Sequence, residues 1–297
     1  MGKIISVKHF EIHDGDGIRT TLFLKGCPLN CKWCHNPESK SSKPEISYLA
    51  KKCINCLECV QICSCHTEEN GYHFFERSGC VGCGKCETVC LGDAIKFYGK
   101  EITAEEILPE LLADKPFFDT SKGGVTVSGG EPLMQADFTL EILKLLKQNG
   151  INTAVDTCGF ADWKAFEKII PYTDKFLYDI KAFNGEVHKK CTGVDNKIIL
   201  ENLKRIDKEN IPVEIRIPFV PGMNDCEIKP IGTFLKELNN ITKIKVLPYH
   251  NLAASKYQSL GLEYAAGDVV PPDKSQINSA VEILTTMNLP AINGMPE

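Results

Sequence analysis

Twelve of the fifteen cysteines in this 297-residue chain lie between Cys27 and Cys90, eleven of them in three groups and Cys65 just after the second. The first is Cys27-x3-Cys31-x2-Cys34, the second Cys53-x2-Cys56-x2-Cys59-x3-Cys63, and the third Cys80-x2-Cys83-x2-Cys86-x3-Cys90. The last two repeat one spacing. Runs with two, two and three intervening residues are the ferredoxin-type pattern, in which a tight loop wraps three thiolates around a cubane and sends the fourth elsewhere. The first group offers only three thiolates. A [4Fe-4S] cluster held by three cysteines keeps one iron free for a ligand that is not protein, which points to chemistry rather than storage.

Other uses of cysteine fit less well. A disulfide framework belongs to short secreted chains, whereas this chain has 43% hydrophobic residues for a large core and no charged-then-apolar leader. Zinc ribbons need two C-x2-C pairs brought together, and two consecutive four-cysteine runs exceed what tetrahedral zinc uses. Thiolates this dense survive as ligands in a reducing, low-oxygen cytoplasm, so a cytoplasmic location is expected. The net charge of -5 comes with no basic stripe, which argues against a nucleic-acid partner. No apolar run approaches the length that spans a bilayer, so no membrane association is expected.

These cysteines must be positioned by the rest of the chain. Short β-rich runs alternate there with helical patterns, the signal of βα units and a parallel sheet. Six strands are expected at 20–25, 124–128, 152–157, 175–181, 212–220 and 243–249. Thr103 with Glu106 reads as a capping box, and Asp137 as the cap of a helix running to Gly150, with Leu140, Ile142, Leu143 and Leu146 as its buried stripe. From about residue 46 to 98 cysteines, glycines and polar residues replace this periodicity, with too few apolar side chains for a core. The expected fold is α/β: a partial (β/α)6 TIM-like barrel (1–45 and 99–297) with an inserted ferredoxin-like domain (46–98).

In parallel α/β barrels the site lies at the C-terminal ends of the strands. The first strand runs into Cys27, Cys31 and Cys34, the second into Ser128-Gly129-Gly130-Glu131-Pro132, and the third into Asp156-Thr157-Cys158-Gly159. The fourth exits at Asp179 and Lys181, the fifth carries Arg216, and the sixth ends in Pro248-Tyr249-His250. Each has a plain reading by itself: paired glycines mark turns, Asp179 and Lys181 could be a surface ion pair, and a lone histidine is most often structural. Agreement at six exits argues against those readings. Alternation puts Val213, Ile215 and Ile217 on one face of the fifth strand and Glu214 and Arg216 on the other, and one of these faces points into the barrel.

Gly26-Cys27-Pro28-Leu29-Asn30-Cys31-Lys32-Trp33-Cys34-His35-Asn36-Pro37-Glu38, together with the Gly-Gly-Glu-Pro segment, Asp156-Thr157-Cys158-Gly159, Asp179-Ile180-Lys181 and Leu247-Pro248-Tyr249-His250, resembles the radical S-adenosylmethionine superfamily, specifically its glycyl-radical-enzyme activating enzymes. The resemblance implies that Cys27, Cys31 and Cys34 hold the catalytic cluster, with the amino and carboxylate groups of S-adenosylmethionine on the unique iron. It implies that Trp33 shields the cluster and borders the adenine, and that Ser128, Gly129, Gly130 and Glu131 receive the methionyl amino group. Asp179, Lys181, Arg216 and His250 match cofactor-contacting positions, while Asp156, Thr157 and the Leu177 carbonyl match a site for Na+ or K+. The implied activity is abstraction of a hydrogen from a glycine of a partner glycyl radical enzyme by a monomer in a transient complex, with a flavodoxin- or ferredoxin-type electron donor. Two other classes are carried beside it: a radical enzyme acting on a small molecule or peptide, and a non-enzymatic electron carrier.

Two departures stand out. Asp14-Gly15-Asp16-Gly17-Ile18-Arg19 has Asp16 where the family has proline, which leaves the turn geometry open. Cys63 and Cys90 are followed by Ser64 and Leu91 rather than proline, so Cys65 competes with Cys63. The crossed ferredoxin rule places Cys53, Cys56, Cys59 and Cys90 on one auxiliary cluster, and Cys80, Cys83, Cys86 and Cys63 on the other. Anaerobic reconstitution should therefore give about twelve irons per chain by colorimetric assay; about four would refute the ferredoxin reading.

Overall fold

Strands buried on both faces must join through crossovers when they run parallel, and the apolar runs between the helices here do so. The computed structural model describes residues 1–294. Its strands are β1 (Gly2–Glu11), β2 (Arg19–Leu24), β3 (Glu45–Tyr48), β4 (His66–Glu69), β5 (Tyr72–Phe75), β6 (Ile95–Tyr98), β7 (Lys100–Ile102), β8 (Gly124–Gly129), β9 (Thr153–Thr157), β10 (Lys175–Asp179), β11 (Val213–Phe219), β12 (Ile241–Pro248) and β13 (Ala291–Asn293). One nine-stranded sheet runs in the order β13-β12-β11-β10-β9-β8-β2-β1-β7. The six expected strands are its centre, all parallel. β13 adds a further parallel strand beside β12, and β1 and β7 extend the other edge antiparallel. The sheet does not close on itself.

The helices cover the outer face. In Ala136–Gln148 the buried residues include Phe138, Ile142, Leu143 and Leu146, with Leu140 half-buried, as the apolar stripe predicts. The Thr103–Glu106 capping box is present in both directions. Asp137 is not a cap: a 3-10 turn, Pro132–Gln135, leads into the helix, Glu131 accepts the Leu133 N–H at its start, and Asp137 instead pairs with Lys168. On β11, Glu214 and Arg216 are both buried, opposite Val213, Ile215 and Ile217. The charged face is the interior of the barrel.

Residues 46–98 are pinned where they leave and rejoin the barrel, because β3 pairs antiparallel with β6, Glu45 opposite Tyr98. Their small core is Ile46, Ile95, Cys59 and Cys86. This segment docks on the helix Ala254–Leu260 through Ser47 Oγ and Ser259 Oγ at 2.9 Å and through Arg77, which donates to the Ile46 and Ser259 carbonyls.

The β1–β2 loop folds against the N-terminal ends of the strands. Gly15 and Gly17 take positive φ (126° and 69°), and Arg19 is buried, donating to Thr126 Oγ1, the Val125 carbonyl and Asn152. Asp16, where the family has proline, pairs with Lys175 of β10 and with Lys243 of β12 at 3.1 Å. It thus strings together strands that do not touch each other. Burial works against the Asp16 carboxylate, but the two lysines outweigh it and hold its pKa at about 2, against an ordinary 3.8. A folded-state pKa below the unfolded one means that the stabilisation is complete above about pH 4 and lost as pH falls through about 2. Because this side chain is half exposed, screening limits the contribution: Asp16→Asn should cost about 1 kcal/mol at pH 7 in thermal unfolding, and the gap should shrink by pH 3.

Candidate active site

β2 ends in a loop that cannot wander. The Gly26 and Cys27 N–H groups donate to the Ser39 and Lys40 carbonyls, and those of Asn30 and Lys32 to the Thr192 and Cys191 carbonyls at the end of the helix Gly185–Thr192. Cys27, Cys31 and Cys34 are thereby gathered in one patch with Leu29 and Cys158. Complete burial pushes the Cys31 thiol up to about 12, with Lys181 opposing. Burial likewise raises Cys34. Cys27 moves the other way, because Cys158 donates a hydrogen bond to it. Trp33 is buried with Cys191, Val220, Tyr249 and Ala266.

The Gly-Gly-Glu segment lies directly on this loop. Gly130 N donates to the Leu24 carbonyl at 2.9 Å and Glu131 N to the Gly26 carbonyl at 2.8 Å. A Cβ on Gly129 (φ +122°) would lie 2.2 Å from Leu24 N, and one on Gly130 2.1 Å from Gly26 O. The glycines therefore serve the approach to β2 first. Within the segment expected to receive the methionyl amino group, the Glu131 carboxylate is turned inward: it is 0% exposed and accepts from Leu133 N, Thr157 Oγ1 and Cys158 N at 2.8–3.0 Å. It fixes the exit of β9 to that of β8.

Lys181 Nζ reaches Asp179 Oδ2 at 2.7 Å. Burial disfavours its charge, yet Asp179 with Cys31 and Cys158 holds the pKa well above the usual lysine value. The surface-pair reading of these two residues fails, because Lys181 is buried. Arg216 Nη1 donates to Asp156 Oδ2 at 3.3 Å and to Asp14 at 3.4 Å, and Nη2 to the His13 carbonyl at 2.6 Å. Ser128 Oγ donates to the same Asp156 oxygen at 2.7 Å. Burial pushes Asp156 up to about 7 against the pull of Arg216. Parallel register sets Leu177 beside Asp156, with Thr157 next to it. His250 stacks on His35, with ring centroids 3.8 Å apart.

The auxiliary cysteines separate into two sets. Cys53, Cys56, Cys59 and Cys90 line one cavity with Tyr48 and His73. Burial raises Cys59, and Cys53, Cys56 and Cys90 add to this; burial pushes Cys86 up to about 12, and Cys63, Cys80 and Cys83 add to that. Cys65 also lies against Cys63, Cys80 and Cys83. The donor sets suit the implied groups: soft thiolates in fours for auxiliary cubanes, and three beside a buried cation for a cubane with an outside ligand.

Several residues at the site have no periodic signal in the sequence. Cys158 follows Thr157 at a strand exit, which was its only sign. Lys256 ties the cysteine loop to the insert-bearing helix, donating to the His35 carbonyl, Asn36 Oδ1 and Glu38 Oε1 at 2.7–3.1 Å.

Residues 21–235 match the model of the Radical SAM superfamily. The chain is 39% identical over 279 residues, 90% of each chain, to the isethionate sulfite-lyase activating enzyme of Nitratidesulfovibrio vulgaris. It is also 39% identical to the choline trimethylamine-lyase activating enzyme of Oleidesulfovibrio alaskensis, over 88% of this chain and 87% of that one. Among solved structures, a domain of pyruvate-formate lyase-activating enzyme from Bacteroides vulgatus superimposes with a TM-score of 0.50 at 32% identity, covering 58% of this chain and 99% of that domain. The chain belongs to the Radical SAM superfamily, in its family of activating enzymes.

Proposed function

We propose that the chain activates a glycyl radical enzyme: it cleaves S-adenosylmethionine reductively at a [4Fe-4S] cluster on Cys27, Cys31 and Cys34 and takes a hydrogen from one glycine of that partner. The observation that carries this is the meeting of the three-cysteine loop with Lys181, Asp179, Ser128, Asp156 and Arg216 at adjoining strand exits. When bound, the reduced cluster would supply one electron to the sulfonium of S-adenosylmethionine, whose C5'–S bond would then break to give methionine and a 5'-deoxyadenosyl radical. The chain's own groups orient and shield. Lys181 and Arg216 are buried cations, able to hold carboxylate and ribose oxygens where water is excluded. His35, His250, Trp33 and Tyr249 wall the cysteine loop with aromatic surface. A Na+ or K+ beside Asp156, Thr157 and the Leu177 carbonyl would offset a carboxylate whose charge burial disfavours.

The cysteines of residues 46–98 are read as two auxiliary [4Fe-4S] clusters, giving three in all, that pass electrons from a flavodoxin- or ferredoxin-type donor. Cys63 or Cys65 completes the second set. The unclosed sheet leaves a side on which a partner's glycine loop can enter, which suits a monomer in a transient complex. No helix among the described residues is long and apolar enough to cross a membrane, in keeping with a cytoplasmic site of action.

Anaerobic incubation with the cognate partner should produce a glycyl doublet in electron paramagnetic resonance. Formation of 5'-deoxyadenosine without the doublet would favour a small-molecule or peptide substrate instead. Cys31→Ala should abolish reductive cleavage of S-adenosylmethionine, whereas Cys56→Ala should retain some turnover with a strong chemical reductant. Equal loss in both, with the catalytic cluster intact in Cys56→Ala, would overturn the relay role.

A further inference from the structure

Between the two ferredoxin-type runs, the β4–β5 hairpin buries two histidines that the electron path as described does not use. His66 and His73 are 2% and 6% exposed. Nδ1 of His66 lies 2.8 Å from Nε2 of His73, and Nδ1 of His73 lies 3.7 Å from Cys53 Sγ. Phe75 stacks on His66 with centroids 4.6 Å apart, and Tyr48 meets His73 edge-on at 4.7 Å, so neither ring is free to turn. His73 lines the cavity shared by Cys53, Cys56, Cys59 and Cys90. Burying imidazole nitrogens is costly unless they are bonded.

The spacing selects one direction for the protons. A neutral His73 that donates from Nδ1 to sulfur must accept at Nε2, and the group bonded to that nitrogen among the described residues is His66 Nδ1, which then carries its own proton. His66 Nε2 is left as a bare acceptor, and it is a buried ring nitrogen without a hydrogen-bond partner among the described residues. The chain of donors runs from His66 through His73 to Cys53.

We propose that His66 and His73 form a hydrogen-bond relay to the Cys53 thiolate that raises the reduction potential of the auxiliary cluster on Cys53, Cys56, Cys59 and Cys90 above that of its twin. This rests on the two-cluster reading of residues 46–98. Hydrogen bonds to cluster sulfurs stabilise the more negative reduced state and so set the potential. The two quartets differ in the same direction elsewhere: Asn55 N and Ala94 N approach Cys53 and Cys90 at 3.4 and 3.3 Å, whereas in the other set the described contact is Gly82 N to Cys80 at 3.4 Å. Two clusters with identical ligand spacing are thereby made unequal, which orders them along an electron path. His73 and His66 are positioning residues that act through Cys53.

The reconstituted full-length protein is titrated potentiometrically, with electron paramagnetic resonance reading each cluster and iron assayed in parallel. His73→Phe should lower one auxiliary potential, with about a tenfold smaller equilibrium constant for its reduction, or about 59 mV for one electron, and leave the other unmoved. His73→Asn, which keeps an N–H, should recover part of the shift. His66→Phe should give a smaller shift of the same sign, and it decides the matter if His73→Phe does not assemble. Unmoved potentials at full iron content would overturn the relay. So would loss of about four irons in both histidine variants, because Cys59, His66 and His73 present ligand atoms within 4.8 Å of one another and would then be ligands themselves. A wild-type protein with only about four irons would overturn the two-cluster reading and the relay with it; failure of the relay alone leaves about twelve.

Discussion

The buried carboxylate of Glu131 is the constraint on which the site depends. A carboxylate removed from water needs donors for its lone pairs, and this one finds them at Leu133, Thr157 and Cys158. To reach them, the preceding glycines must lie against the backbone of β2, so that the exits of β2, β8 and β9 are fixed together. The cysteine loop grows from the first of these exits and inherits the fixed geometry. Burial raises the Glu131 pKa while those donors pull it down, so losing any one of them would shift its charge as well as its position.

Below that level the barrel interior is filled with charge. Arg216 meets Asp14 and Asp156, and Glu214 meets Lys243 and Lys245. The groups proposed to take part in the chemistry lie on this interior face, while the apolar residues of the same strands pack outward under the helices. Alternation along one strand thus serves stability on one side and function on the other. The β1–β2 loop completes the arrangement from beneath, with Asp14 reaching Arg216 and Asp16 joining β10 to β12.

Much of this was legible in the residues. Parallel strands buried on both faces read as apolar runs, so polar residues at their ends stood out, and the six central strands lie within two residues of their expected limits. What escaped reading was short or tertiary. β7 and β13 have three residues each, too few for a period, and β1 alternates weakly because most of it is half-buried or exposed rather than alternately buried. Asp137 looked like a cap because no local signal announces a 3-10 turn ahead of it. The inward turn of Glu131 depends on Thr157 and Cys158, more than twenty residues away, and the pairing of His66 with His73 on a hairpin whose four-residue strands carry little signal.

Transfer of a hydrogen from a partner's glycine to the 5'-carbon is the central claim, and isotope transfer tests it most directly. The partner enzyme is prepared with deuterium on its glycine α-carbons, mixed anaerobically with the reduced protein and S-adenosylmethionine, and the 5'-deoxyadenosine is weighed by mass spectrometry. The account predicts 5'-deoxyadenosine one mass unit heavier, formed only when the partner is present. Unlabelled 5'-deoxyadenosine, released at the same rate with or without the partner, would contradict it.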